Sequence, residues 1–169
     1  MRTFFLISTI IILFALSGNG QIKPSWVKWS FLIGEWIGEG SGQPGQGNGS
    51  FSFYPDLDRN ILVRKNHTGF PAAGNIPATK HDDLLIIYPE NEETPSKAIY
   101  FDNEGHVIHY SISYRDSSVF LTSEKKTGNP VFRLTYTPSG KDFVVTKFEM
   151  SRDGEVFMTY IEGKSKRIK

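Results

Sequence analysis

Polar side chains that could orient a small ligand are concentrated between residues 60 and 115, in segments whose apolar residues recur with period two. Residues two apart on a strand share a face, so Arg64 and Asn66 lie on one face and His67 on the other. A few polar groups inside an apolar pocket are what a small-molecule site requires. The candidate ligand-binding residues are Arg64, Asn66, His67, Tyr100, His109 and Tyr110.

The same residues are compatible with two other roles. His109, Tyr110 and Arg64 could be acid-base or oxyanion groups of a small enzyme of the isomerase or lyase type. They could also form an internal hydrogen-bond network that only fixes the register of the strands. No Ser stands in a Gly-x-Ser-x-Gly elbow, and no catalytic residues are assigned. Binding is therefore favoured over catalysis.

The sequence offers little for a metal or a nucleotide. His106 and His109 are three apart, so on a strand their rings point to opposite faces, and the chain has no cysteine. We therefore predict no metal site. The segment 40–45 matches the dinucleotide pattern G-x-G-x-x-G, but no helix follows that could receive a pyrophosphate.

These residues must be positioned by strands, because no long helical period appears after residue 20. Short polar turns separate the strands and predict antiparallel neighbours. Such a long meander favours an all-β closed antiparallel barrel of about ten strands, with a two-sheet sandwich as the alternative. A short helical turn is expected at Pro24–Ser30, and rim loops at Ser41–Gly49 and Phe70–Lys80. The predicted strands are Phe31–Gly40, Ser50–Tyr54, Asn60–Thr68, Asp83–Tyr88, Lys97–Phe101, Val107–Tyr114, Val119–Glu124, Val131–Thr137, Asp142–Met150 and Val156–Glu162.

The first twenty residues have the layout of a secretory signal peptide. Arg2 precedes an apolar run from Phe4 to Leu16, and small residues follow up to Gly20. The apolar run is shorter than the roughly 20 residues that span a bilayer, although an uncleaved anchor is the alternative. We therefore predict a signal peptide at 1–20 and one domain at 21–169, which is secreted or periplasmic and has no stable membrane insertion after cleavage.

The charge and composition of the chain limit the classes of partner that it could bind. The chain has 19 basic and 18 acidic residues, and loss of Arg2 with the leader would leave the two signs balanced. This balance argues against nucleic acid as a partner. With no cysteine, an exported domain must be stabilised by packing alone. Strands that are apolar on both faces, such as the segment Leu84–Ile87, could form an outer patch for a homodimer.

The segment Phe31–Trp36 reads Phe-Leu-Ile-Gly-Glu-Trp at the start of the first strand. Gly34-x-Trp36 in this place resembles the opening signature of lipocalins and the wider calycin group. The resemblance implies that Trp36 closes one end of the barrel beneath a cationic side chain from the end of the chain. Arg167 is the expected partner, with Lys164 as the substitute.

The run from Ile33 to Gly40, with the aromatic second strand and the ten-strand meander, is similar to nitrobindin-like barrels and related uncharacterised bacterial families. This likeness extends over about residues 31–162 and implies the fold rather than the function. Nitrobindins bind haem through a histidine near the C-terminal end. Here no histidine follows His109, so that ligand does not carry over and no cofactor is expected.

The leading functional prediction is a lipocalin-like protein that binds a small, largely apolar molecule inside its barrel. The alternatives are a haem-binding nitrobindin-like barrel, a small barrel enzyme and an interaction barrel without ligand. The first strand places Gly34, Gly38 and Gly40 on the face of Trp36, so this face is short of side chains and should leave room in the interior.

Overall fold

The computed structural model describes residues 24–39, 48–91 and 93–169, which form a closed ring of ten antiparallel strands. Each strand pairs with its neighbours in sequence, and the last strand pairs with the first. The predicted fold class, an all-β closed meander barrel, is confirmed. The strands are β1 (Gly34–Gly38), β2 (Asn48–Asp56), β3 (Ile61–Phe70), β4 (Thr79–Tyr88), β5 (Lys97–Asp102), β6 (Val107–Arg115), β7 (Ser118–Ser123), β8 (Val131–Pro138), β9 (Phe143–Ser151) and β10 (Met158–Arg167).

Three of the predicted strand bounds are wrong by three residues or more, and the others lie within two residues of the observed bounds. The first strand begins at Gly34 rather than Phe31, because residues 31–33 continue the turn that follows a short 3₁₀ helix. The fourth begins at Thr79 rather than Asp83, because the polar segment 79–82 pairs along β3. The tenth runs on to Arg167, because its charged residues pair with β9 and β1. Charged and polar residues weaken the alternation signal even where the backbone is fully paired.

One end of the barrel, which we call the closed end, is filled by aromatic side chains. The 3₁₀ helix Val27–Trp29 lies across it and places Trp29, which is fully buried, against Phe53 with ring centroids 6.1 Å apart. The Trp29 indole donates to the Tyr114 hydroxyl at 2.9 Å, and Tyr114 donates to the carbonyl of Pro95 at 2.6 Å. The polar atoms that accompany these rings therefore have partners, which makes burial of the rings favourable.

Trp36, Arg167 and Gly34 meet at the same closed end. The Arg167 guanidinium lies over the Trp36 ring, 4.2 Å from its centroid, which is the contact expected from the Gly34-x-Trp36 signature. Arg167 also donates to the main-chain carbonyls of Phe31 and Ile33. Gly34 has a φ of 126°, and a Cβ at this position would lie 2.2 Å from the carbonyl oxygen of Lys169. The space that Gly34 leaves is thus taken by the end of the chain rather than by a cavity.

Two predicted segments lie wholly or mostly outside the described residues. These are the signal peptide at 1–20 and the rim loop at Ser41–Gly49, of which residues 48 and 49 belong to β2. The second predicted rim loop is shorter than expected, because Phe70 ends β3 and Thr79 begins β4. No helix within residues 24–39, 48–91 or 93–169 has both the length and the apolar character needed to cross a bilayer.

Candidate functional site

The interior changes character towards the opposite end, which we call the open end, where β3 leads to β4 and β5 leads to β6. Near the closed end the inward-facing residues are buried, with Trp36, Phe53 and Val144 at most 1% exposed. Towards the open end, residues on the same inward face remain partly exposed, and Ile161 is 52% exposed. Side chains that face into a barrel and still contact solvent mark an interior that its own residues do not fill. The partly exposed inward residues are Asn66, Tyr100, Ile108, Phe132, Phe148 and Ile161.

Glycines leave space on one side of this open interior. Gly163 on β10 is the register partner of Thr146 on β9, and Thr146 shares the inward face of Val144. A Cβ added at Gly163 would meet no atom within 4 Å. Gly38 occupies the same face of β1 and pairs with the buried Ser165 of β10. Space free of side chains, which the sequence predicted beside the glycines of the first strand, is therefore found beside Gly163 and not beside Gly34, while Gly40 lies outside the described residues.

An apolar wall lines the open interior along β8, β9 and β10. The rings of Phe132 and Phe148 stack with centroids 5.6 Å apart and an interplanar angle of 14°. Tyr160 meets Phe148 edge-on at 6.3 Å, at the irregularity in β10 between Thr159 and Ile161. Tyr160 is 72% exposed. Aromatic rings that are partly exposed to solvent can pack against a flat or aliphatic ligand.

A polar wall stands across from it on β3, β4 and β5. Arg64 donates from Nη1 to Asp83 Oδ1 at 2.9 Å, and Asn66 donates to Asp83 Oδ2 at 2.8 Å. The side chains of Arg64 and Asp83 are 9% and 4% exposed. An ion pair this deeply buried is tolerated because both carboxylate oxygens have donors.

Nearer the rim, His81 joins the polar wall to the turn between β5 and β6. Its Nε2 lies 2.8 Å from the Tyr100 hydroxyl, and its Nδ1 lies 3.1 Å from Glu104 Oε1. The Tyr100 hydroxyl is also 3.3 Å from Asp102 Oδ2, and Asp102 accepts from the His106 ring at 2.8 Å. Carboxylates thus surround the hydroxyl of Tyr100, and both ring nitrogens of His81 are engaged.

The electrostatics of this region keep its phenols protonated and its guanidinium charged. Burial raises the pKa of Tyr100, and the charges of Asp83 and Asp102 raise it further. Burial likewise raises the pKa of Tyr110 and of Tyr136. Burial alone would lower the pKa of Arg64, but the neighbouring Tyr136 and Asp83 outweigh it, so that pKa is raised. The interior therefore presents hydroxyl and N–H donors at physiological pH.

The predicted site residues divide between the two faces of the barrel. Arg64, Asn66 and Tyr100 belong to the polar wall, and the buried Tyr110 faces the same interior from β6. The other two candidates, His67 and His109, lie on the outer face and are exposed. His67 contacts Asp82 there rather than any interior group. Strand alternation explains this outcome, because each histidine is next in sequence to an inward residue.

Several residues of the open interior were absent from the predicted set. Asp83 and His81 were not among the predicted residues, although Asp83 has the parity of the apolar Leu85 and Ile87 and is the register partner of Asn66 on β3. That parity was a usable signal. No comparable signal in the sequence indicated Phe132, Phe148 or Gly163. An alternating strand pattern shows which residues face inward, but it does not show which part of the barrel interior is filled by side chains.

Haem does not fit the histidines of this chain. All four are described, and His81 alone faces the interior, with both of its ring nitrogens already within hydrogen-bond distance of Tyr100 and Glu104. His109, the last histidine in the sequence, is exposed on the outer face. Histidine ligation needs a neutral ring nitrogen directed at the iron. Over the described residues, no group of three His, Cys, Asp or Glu side chains is arranged to hold a metal ion either.

The outer wall carries its own shallow feature. An open depression of about 410 Å³ on β3, β4 and β5 is lined by Leu84 and Phe101 and by the polar or charged residues Lys65, Asn66, Asp82, Asp83 and Asp102. Phe101 is 37% exposed, and Leu84 is its register partner. Leu84 belongs to the doubly apolar segment in which an outer patch is expected, but most of the residues around it here are polar or charged. An apolar molecule could still bind to this outer surface as well as in the interior.

Comparison with known proteins adds no family. No family model matches the sequence, and no curated protein matches it at a significant level. The resemblance to lipocalins and nitrobindin-like barrels therefore stays an expectation from the residues 31–36 and the strand pattern. The evidence for function therefore comes from the residues that line the interior.

Proposed function

We propose that this barrel binds a small, largely apolar molecule in the open half of its interior, as lipocalin-like proteins do. The observation that carries the proposal is the partial exposure of inward-facing residues, together with the empty space beside Gly163. An apolar guest would remove part of Phe132, Phe148 and Ile161 from water. That burial is worth roughly 25 cal/mol for each Å² of apolar surface.

The division of the interior into two walls supports an orienting role. The apolar wall of Phe132, Phe148 and Tyr160, with the neighbouring Ile161, would hold the body of the ligand. The polar wall of Arg64, Asn66 and Tyr100 would fix its direction. This is the usual composition of ligand pockets, which are mostly apolar with a small number of placed polar groups. An enzymatic role has less support, since His109, one of its expected acid-base groups, lies on the outer face of the barrel.

Fluorescence titration with Nile red, a neutral apolar dye, tests the proposal. We expect saturable binding with a Kd on the order of 1 µM, or about 8 kcal/mol of binding free energy. At a ligand concentration of 100 times Kd, the bound protein should gain about 2.7 kcal/mol of stability and melt at a higher temperature. Absence of both saturable fluorescence and a thermal shift would favour a barrel without ligand.

Two matched variants locate the site. Gly163→Phe places a ring in the empty space beside Thr146 and should weaken Nile red binding at least tenfold. Phe101→Ser alters the depression on the outer wall and should leave the affinity unchanged. If the affinity falls with Phe101→Ser and not with Gly163→Phe, the dye binds outside the barrel and the proposal is wrong.

The proposed setting of this function is outside the cytoplasm, after removal of residues 1–20. The layout of Arg2 followed by the apolar run and small residues supports this. Mass spectrometry of the mature protein from its native host should give a chain that begins at Gln21. A mature chain that retains Met1 or begins at Arg2 would contradict export by cleavage.

A further inference from the structure

Two buried hydrogen-bonding atoms in the middle of the barrel have no partner within the described part of the chain. They are Nε of Arg64 and the hydroxyl oxygen of Tyr136. Tyr136 is fully buried and Arg64 is 7% exposed. A third such atom is Oγ1 of Thr146, which faces the same interior, and a fourth is Oγ1 of Thr135, on the opposite face of β8. Most buried polar atoms in proteins have partners, so the three that face the interior call for an explanation.

The three atoms belong to residues that approach one another from opposite sides of the barrel. The Arg64 guanidinium on β3 lies 6.0 Å from the ring centroid of Tyr136 on β8. Thr146 on β9 is the register partner of Tyr136, so the two side chains leave adjacent strands on the same face. Thr146 also pairs with Gly163, where the interior is empty. The unpartnered atoms therefore belong to inward-facing residues of β3, β8 and β9, and Thr146 is the one that adjoins the space beside Gly163.

The chemistry of these atoms defines what would satisfy them. Nε–H of Arg64 can only donate, and the hydroxyls of Tyr136 and Thr146 can donate. Nη1 of the same guanidinium already donates to Asp83. Nε–H of Arg64 therefore requires a hydrogen-bond acceptor, and the two hydroxyls can donate to that same acceptor.

The charges of Arg64 and Asp83 determine which kind of ligand group can bind beside them. The positive charge of Arg64 is matched by Asp83, whose carboxylate is 2.9 Å away and 4% exposed. A ligand carboxylate would add an unmatched negative charge to this buried pair, and a buried unmatched charge is disfavoured. An ammonium group would face the Arg64 guanidinium without an acceptor. A neutral oxygen, such as a carbonyl, meets neither difficulty.

We propose that the ligand carries a neutral oxygen acceptor at its inner end, which binds between Nε of Arg64 and the hydroxyl of Tyr136. Its apolar part then extends along Phe132 and Phe148 towards the open end. This inference rests on the proposed function, since it names the class of molecule that the interior takes. It distinguishes ketones, aldehydes and esters from fatty-acid anions and plain hydrocarbons.

Displacement of Nile red by three eight-carbon compounds tests the inference. We expect 2-octanone to displace the dye at a concentration about tenfold lower than either octane or octanoate. Tyr136→Phe should remove the advantage of 2-octanone over octane and leave the affinity for octane unchanged. Equal affinity of the wild-type protein for 2-octanone and octane would overturn the inference, as would a preference for octanoate. Either result leaves dye binding, and thus the proposed function, intact.

Tyr114→Phe is the matched control, because it removes a hydroxyl that has partners. At the closed end this hydroxyl accepts from Trp29 and donates to Pro95. Tyr114→Phe should lower the melting temperature and preserve the preference for 2-octanone. Tyr136→Phe should not lower the melting temperature of the ligand-free protein, since its hydroxyl makes no hydrogen bond there. A larger loss of stability in Tyr136→Phe than in Tyr114→Phe would overturn the inference even without a ligand.

Discussion

The two ends of this barrel are built from the same strands and the same alternation, yet they differ in how the interior is occupied. At the closed end, Trp29, Trp36 and Phe53 are excluded from solvent. At the open end, Phe148 keeps part of its surface in water, and Ile161 is half exposed. Both ends contain aromatic rings, so the number of rings does not explain the difference in solvent exposure. The difference arises because the short helix and residues 167–169 cover only the closed end.

This difference shows where stability and function reside. Aromatic rings at the closed end have both covering elements and hydrogen-bond partners, as the contact of Trp36 with the carbonyl of Leu32 at 2.8 Å illustrates. The open end has apolar surface and polar atoms that the chain does not complete. Binding sites commonly retain unsatisfied surface of this kind and are less stable than the rest of the fold. The comparison can be tested by matched substitutions at the two ends.

Removal of an aromatic ring should cost more at the closed end. We expect Trp36→Ala to lower the free energy of unfolding by about 3–5 kcal/mol, since it empties a fully buried position. Phe148→Ala should cost only about 1–2 kcal/mol, because part of that ring already contacts water. Urea denaturation followed by circular dichroism measures both. Equal losses would mean that the open end is packed as tightly as the closed end.

Substitution of an inward glycine by alanine should also destabilise the closed end more than the open end, with a smaller difference than removal of an aromatic ring. Gly34→Ala forces an L side chain to a φ of 126° against the carbonyl of Lys169. The backbone conformation alone should cost about 1–3 kcal/mol. Gly163→Ala meets open space, and we expect a change within about 0.5 kcal/mol. Thermal melts of both variants provide the measurement, and a destabilising Gly163→Ala would show that this space is occupied.

The smallest expected effect is electrostatic and confined to the rim of the open end. Hydrogen bonding to Asp102 raises the pKa of His106 above 6.5, and the negative charge of Asp102 adds to this. The stabilisation from this ion pair is therefore complete below pH 6.5 and is lost as the pH rises through the raised value. Titration by NMR should show the raised pKa of His106 and its return towards 6.5 in Asp102→Asn. Asp82→Asn, which alters the pair of His67 with Asp82, should leave the His106 titration unchanged.

Much of the fold could be predicted because strand alternation and turn residues are local signals. Short polar turns predicted antiparallel neighbours, and Gly140, with a φ of 83°, occupies one of them. The bounds of β4 and β10 were missed for the same local reason. Their polar residues, including Lys80 and Lys164, resemble loop residues although their backbones are paired.

The site was harder to predict because it depends on distance along the barrel axis. Alternation assigns Arg64, Asn66 and Tyr110 to a common face only after the register of the strands is known. It could not indicate that Asp83 meets Arg64, since this pairing joins residues on separate strands. Nor could it show that Gly163 faces empty space whereas Gly34 faces the chain terminus. These facts arise from the assembled ring.

The seam between β1 and β10 also bears on how the barrel is made. Every other pairing joins strands that are consecutive in the chain, whereas this one brings Trp36 beside Arg167. The Arg167 side chain reaches the carbonyl of Ile33 across 134 residues. Closing so long a loop costs chain entropy before the contact is gained, so we expect the hairpins to form before the seam. During synthesis, the ring cannot close until β10 has left the ribosome, and the unpaired edges of β1 and β9 are exposed until then.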